Sequence, residues 1–313
     1  MPRIAYFGPS GTFTEMALAR LESLGILAAG APDTGTGGVE RVSCASPPAA
    51  LAEVRAGTVE GAVVPIESSV EGGVVPTLDA LAAGDRLQIV AETELDVSFS
   101  ILAREGITDL GQVRTVRAYP VAGAQVRQWL EENCPAARIE NASSNAGAAE
   151  DVAAGAADAA VSTALAGQLF GLHSLADDVA DVRGARTRFV LVTRPAPVPE
   201  RTGGDRTSVV LEPHNTPGSL VAVLSEFALR GIDLTRIESR PTRTDFGTYR
   251  FFVDCVGHID DPLVAEAFRA LHRKSRVRFL GSWPATAPSG PPPESDDDAR
   301  RWVEQMRSGG AES

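Results

Sequence analysis

Four short segments bearing hydroxyls or amides stand directly before helical patterns in the first half of the chain. They are Ser10 and Thr12 in GPSGTFTE, Ser68 and Ser69 in IESSVEGG, Ser143, Ser144 and Asn145 in ASSN, and the pair Ser162-Thr163. A helix start offers unpaired backbone N–H groups at the positive end of the helix dipole. Several such starts around one cleft would suit a small carboxylate or phosphate. The same residue types also serve simply as caps, and Thr12 with Glu15 has the Thr-x-x-Glu spacing of a capping box. A further polar group interrupts the apolar stretch GARTRFVLV at 184–192, where Arg186, Thr187 and Arg188 run into Phe189. On a strand, Thr187 and Phe189 share a face, here assigned to the cleft, while Arg188 points the other way. Arg188 would reach a ligand carboxylate only if the backbone is irregular. The alternative is a buried ion pair or hinge contact with an acid such as Asp177, Asp178 or Asp181.

Other chemistries lack their residues. GPSGTFTE has no Lys-Ser/Thr of a phosphate-binding P-loop, there is no GxSxG or HExxH run, and the four histidines are scattered. Cys44, Cys134 and Cys255 lie far apart with no CxxC pair, which predicts buried thiols in a reducing compartment rather than a disulfide framework or zinc site. Neither a metal nor histidine chemistry is expected, so the chemistry would rest on hydroxyls, amides and oriented backbone. The net charge is −12; residues 206–283 hold 11 basic and 9 acidic side chains, a local +2, but no basic stripe suited to nucleic acid. No run approaches the roughly 18 apolar residues of a membrane span, and no charged-then-apolar leader opens the chain. The expectation is a cytoplasmic protein with no nucleic-acid or membrane partner.

Two regions must position these residues. Residues 1–194 alternate short apolar runs, such as Ile4–Phe7, Ala62–Pro65 and Phe189–Val192, with helical patterns such as Pro47–Ala56 and Pro120–Asn133. That rhythm predicts a mostly parallel α/β sheet, long enough to form two lobes with a central cleft. The stretch 195–206 is a Pro/Gly-rich linker. Residues 207–283 read as βαββαβ, a ferredoxin-like module, with Asp261 as N-cap of the second helix. Residues 284–313 are rich in Pro and charge and predict a disordered tail, with at most a turn or two of helix around Trp302, Val303 and Met306.

In this order, GPSGTFTEMAL, VVPIESSVEGGVVPTLDAL, the helix opening from Pro120 to Gln125 and ARTRFVLV resemble the prephenate dehydratase family. HNTPGSLVAVLSEFALRGIDLTRIESRPTR resembles that family's regulatory ACT domain, so the likeness covers about residues 1–283. It implies a periplasmic-binding-protein-like, two-lobed catalytic domain followed by the ACT module. It also implies a cofactor-free lyase that takes carbon dioxide and the ring hydroxyl from prephenate to give phenylpyruvate. The resemblance assigns Thr187 to assist the departing hydroxyl and adds Gln125 to the substrate contacts. Ser68 stands where many members carry Asn, and Ala118-Tyr119 where many carry Ser/Thr-His.

For the second module the resemblance implies phenylalanine as effector. Asn215, Gly218 and Leu220 at the helix start, with Glu238, Ser239 and Arg240 in the second strand, are its candidate contacts, at an interface of a homodimer or homotetramer. Two rivals stay open at this point. One is the same chemistry on arogenate; the other is a non-catalytic amino-acid sensor built from a two-lobed domain and an ACT module.

Overall fold

A computed structural model describes residues 1–28, 38–287, 290–291, 293 and 295–309. The chain forms two compact units, one of Met1–Ala80 with Glu92–Arg194 and one of Leu81–Ala91 with Pro195–Ser313.

In the first unit the elements are β1 (Arg3–Phe7), α1 (Phe13–Ser23), β2 (Glu40–Cys44), α2 (Pro47–Ala56), β3 (Gly61–Ser68), β4 (Gly72–Gly73) and α3 (Val75–Ala82), whose last two residues belong to the second unit. There follow β5 (Gln88–Asp96), whose first four residues belong to the second unit, β6 (Ser100–Ala103), β7 (Thr115–Ala118), α4 (Pro120–Gln125), α5 (Arg127–Asn133), β8 (Arg138–Asn141), α6 (Asn145–Ala153), β9 (Ala159–Ser162), α7 (Ala164–Phe170), β10 (His173–Ala176) and β11 (Arg186–Thr193). Two open sheets result, ordered β2-β1-β3-β11-β5, with β4 on β3, and β10-β6-β9-β7-β8. Both sheets are mixed, which corrects the mostly parallel expectation. The βαβ units β1-β2-β3 and β7-β8-β9 are parallel, whereas β11 on β3 and β6 on β9 are antiparallel. These exceptions are strands at the two chain crossings between lobes, where no βα crossover dictates direction.

Local chemistry explains the helix limits. Ser46 caps α2 through the Ala49 N–H at 3.2 Å, a proline occupies its first turn, and Gly57 ends it at φ 74°. The helix expected over Pro120–Asn133 is instead broken at Val126 (φ −123°, ψ 11°). Asp181 accounts for the break: its carboxylate accepts from the N–H groups of Gln128 at 3.0 Å and Trp129 at 2.9 Å, and its own N–H donates to the Gln125 carbonyl at 2.7 Å. The lobes meet through an edge-to-face pair, Phe13 with Phe99, ring centroids 5.7 Å apart.

The second unit carries β12 (Asp205–Pro213), α8 (Ser219–Ala228), β13 (Leu234–Pro241), β14 (Tyr249–Val256), α9 (Pro262–Lys274), β15 (Ser275–Pro284) and α10 (Asp297–Arg307). Its sheet runs β13-β14-β12-β15, antiparallel throughout, the ferredoxin-like order. Alternation sends Val209, Leu211, Val253 and Cys255 under α8 and α9, where they pack with Val223, Phe227, Val264 and Leu271. Asp261 makes no side-chain cap to α9; its carboxylate accepts instead from the His258 N–H and from Arg201. In the tail, α10 is an eleven-residue helix, longer than the turn or two expected, while residues 288–289, 292, 294 and 310–313 lie outside the described residues.

Candidate active site

The centre of the first unit is the β3–β11 pair. Thr187 stands opposite Ser68 and Arg188 opposite Glu67, then the register shifts so that Phe189 meets Pro65. The shift leaves Ile66 as an extra residue on β3, a bulge of the sort that re-aims side chains beside functional sites. The Ser68 hydroxyl accepts from the N–H groups of Val70 at 3.2 Å and Glu71 at 3.4 Å, closing a turn before β4. Ser69 continues the ladder: its N–H donates to the Arg186 carbonyl, and its hydroxyl accepts from the Arg186 N–H, both at 2.8 Å. From the other lobe the Gln125 amide donates to the Glu71 carboxylate at 3.5 Å. Thr187, Ser68, Glu71 and Gln125 are therefore joined by one short chain of contacts across the lobes. Thr187 is half-buried, and its hydroxyl has no hydrogen-bond partner among the described residues. A hydroxyl in that position keeps both its donor and its acceptors for a ligand.

A second cluster gathers helix starts from both lobes. The Thr163 hydroxyl, buried at the head of α7, accepts from the Ala166 N–H and donates 2.8 Å to the Gly11 carbonyl of the first lobe. Gly11 needs its lack of a side chain here: its φ is 91°, and a Cβ would lie 3.3 Å from the Ala166 backbone. Ser162 donates 2.6 Å to the Asn145 carbonyl, tying the starts of α6 and α7 together. Ser144 caps α6 through the Gly147 N–H at 2.9 Å, with Ser143 exposed beside it. The Asn145 side-chain oxygen is buried with no partner among the described residues. Thr12 is a cap as its spacing foretold: it accepts from the Glu15 N–H at 3.4 Å and donates to the Pro9 carbonyl at 3.1 Å. Glu15 reaches back to the Gly11 N–H at 2.7 Å, one residue beyond the N-cap N–H of the usual capping box. Ser10 is exposed, 3.4 Å from the Tyr6 hydroxyl.

Arg188 is 6% exposed, its guanidinium 2.8 Å from Glu67 and 3.2 Å from Glu92, whose side chain is fully buried. None of the three acids weighed as its partner serves. Asp177 accepts from Ser100 and Ser174, and these bonds hold its carboxyl below the ordinary range. Asp178 takes the Ser98 hydroxyl, and Asp181 anchors α5. Phe189 is 2% exposed and packs in the sheet core. Glu67, Glu92 and Glu71 were not singled out from sequence. The negative charge beside Arg188 had one legible signal, the acid of Pro-Ile-Glu placed on the neighbouring strand.

In the second unit Gly218 is the N-cap of α8 at φ 81°, with Asn215 exposed and Leu220 half-buried nearby. Glu238, Ser239 and Arg240 lie on β13, the edge strand, opposite Phe252, Phe251 and Arg250. Among the described residues no group of His, Cys, Asp and Glu suits a metal ion, and no helix is long and apolar enough to cross a membrane.

A profile of the family described as Prephenate dehydratase matches residues 4–197, and one described as ACT domain matches residues 207–273. A prephenate dehydratase of Mycobacterium tuberculosis is 57% identical over 310 residues, covering 99% of this chain and 95% of that protein. One of Mycolicibacterium vanbaalenii is 58% identical over 311 residues, 99% of each. Among solved structures, a prephenate dehydratase of Arthrobacter aurescens in complex with L-Phe superposes with a TM-score of 0.85 at 38% identity, covering 98% of this chain and 99% of that one. Residue segments, two-lobed fold and near full-length identity agree, and the chain belongs to the prephenate dehydratase family.

Proposed function

We propose that this chain converts prephenate to phenylpyruvate, with Thr187 as the group that assists departure of the ring hydroxyl. The ring carbon–carboxylate bond breaks and releases carbon dioxide. Its electron pair completes the aromatic ring as the carbon–hydroxyl bond breaks, and a proton delivered to the departing oxygen makes water. Aromatisation supplies much of the driving force, so the protein's task is to orient a dianion, exclude bulk water and meet the leaving oxygen with a donor. The carrying observation is the half-buried Thr187 hydroxyl with no partner among the described residues, opposite Ser68 and one short contact chain from Gln125. The starts of α1 and α6 are the proposed holders of the substrate carboxylates, through Ser10, Ser143 and Asn145 and the backbone N–H groups of the turns that Thr12 and Ser144 cap. Arg188 acts through Glu67 and Glu92, positioning the strand that carries Thr187.

Phenylalanine is the proposed effector of the ACT domain, held by Asn215, Gly218, Leu220, Glu238, Ser239 and Arg240. The helix start suits its carboxylate and Glu238 its ammonium group. A homodimer or homotetramer is proposed because β13 leaves an open edge with Ile237 48% exposed. The direct test mixes purified protein with prephenate, then with arogenate, and follows phenylpyruvate and phenylalanine. Phenylpyruvate from prephenate is expected; no product from either substrate sinks the enzymatic reading.

A further inference from the structure

The sheet of the C-terminal unit has one face covered by α8 and α9, and strand alternation puts a different set of side chains on the other. Val210, Glu212, Arg250, Arg276 and Arg278 alternate with the core residues Val209, Leu211, Phe251, Val277 and Phe279. On that helix-free side they line a cavity of about 430 Å³, closed by Thr242 and Thr244 and by Ala82 and Gly84 of the same unit. Ligand pockets run from about 300 to 1,000 Å³.

The lining is unbalanced in charge. Three guanidiniums share a single carboxylate, Glu212, which lies 3.5 Å from Arg250 and 3.7 Å from Arg276. Arg278 has no carboxylate of its own in the cavity; it donates to the Gly84 carbonyl at 2.9 Å and to those of Leu81 and Ala83 at 3.4 Å. Burial first, then Arg276, Arg250 and Arg86, push its basicity below the ordinary value, while Glu212 acts the other way. The cavity thus gathers a net charge of +2 in a chain whose total is −12. Guanidinium forks match carboxylate and phosphate oxygens in pairs.

We infer that this cavity binds a small carboxylate or phosphate dianion through Arg250, Arg276 and Arg278. It shares no residue with the proposed phenylalanine contacts, and the inference does not rest on the enzymatic reading. Thr242 and Thr244 stand at the rim, their hydroxyls 2.9 Å apart and bonded to each other. Glu212 then sets the affinity from the opposing side, because its carboxylate occupies donors that the ligand would use.

The test is calorimetric titration of the full chain with succinate and with inorganic phosphate at matched ionic strength, succinamide serving as the neutral control. Succinate and phosphate distinguish a dicarboxylate from a phosphate-bearing ligand. Saturable binding of at least one dianion is expected, with Kd of about 1 mM or below. Arg276→Gln, a substitution at a largely exposed side chain, should weaken it roughly three- to ten-fold. Glu212→Gln should tighten it, an opposite change that a merely structural effect would not produce. Absence of saturable binding by both dianions, equal binding of succinamide, or affinity unmoved by both substitutions overturns the inference.

Discussion

Replacing Arg188 separates a structural role from direct substrate binding. The guanidinium lies 3.2 Å from the fully buried side chain of Glu92. At an effective dielectric constant of about 20, two unit charges at that distance attract by about 5 kcal/mol. The second pair, to Glu67, is discounted because that carboxylate is 35% exposed. Desolvation of Arg188 offsets part of the attraction, but Arg188→Met leaves the Glu92 carboxylate buried without this counter-charge. Removing one partner of such a pair costs about 3–5 kcal/mol. For a unit of this size that lowers Tm by roughly 6–20 °C. Thermal unfolding followed by circular dichroism, with kcat and KM on prephenate below the transition, measures both consequences. The double variant Arg188→Met/Glu92→Gln should melt above Arg188→Met, because the stranded charge is gone. A Tm near that of the parent chain together with a large rise in KM would refute the reasoning and make the guanidinium a direct ligand for substrate carboxylate.

Thr187→Ala should lower kcat by roughly 10²–10⁴ with the circular dichroism spectrum unchanged, since the residue offers its hydroxyl to no other described residue; near-normal turnover would remove it from the reaction. Ser68→Asn should preserve or raise turnover, because an amide oxygen also accepts from the Val70 and Glu71 N–H groups; a large loss would mean the site is organised differently. Gly281→Ala should destabilise the C-terminal unit by about 4 kcal/mol or more, since φ is 146° and the new Cβ would lie 2.1 Å from the Ile89 carbonyl oxygen; an unchanged Tm would contradict that close approach. Burial is the largest influence on Asp158 and raises its pKa. Bonds from the Arg114 and Thr115 N–H groups, from Arg104 and from the Thr115 hydroxyl together outweigh it and hold the carboxyl below its ordinary value. A depressed folded-state pKa gives stability that is present above the unfolded value and lost as pH falls through the folded one. The Tm gap between the parent chain and Asp158→Asn should therefore be flat from neutral pH to about pH 5 and shrink below roughly pH 4; a gap that widens on acidification would reverse the sign.

Local rules carried far along this chain. Caps and turn residues placed α2 at Pro47–Ala56 and α7 at Ala164, and the period-2 and helical rhythms gave the βαββαβ order of the C-terminal module. These features depend on residues a few positions apart, so the sequence displays them directly. The strands β2, β8 and β10 escaped notice because they are edge strands with charged or exposed residues such as Arg138 and Glu140, and no apolar run marks them. The break at Val126 was invisible for another reason: its cause, Asp181, is more than fifty residues away in the chain.

The same division holds at the candidate site. Sequence alone determined which segments carry hydroxyls at helix starts and that Thr187 and Arg188 enter a buried strand. It also showed the order of motifs that marks the family. Tertiary structure decided the partners. Arg188 meets Glu92 and Glu67 across 96 and 121 residues of chain, and Gln125 meets Glu71 across 54. It also decided which hydroxyls are spent on caps, as at Thr12 and Ser144, and which is left without a described partner, as at Thr187. A side chain's type and its near neighbours are local properties, whereas the group that satisfies it depends on how distant strands are brought side by side.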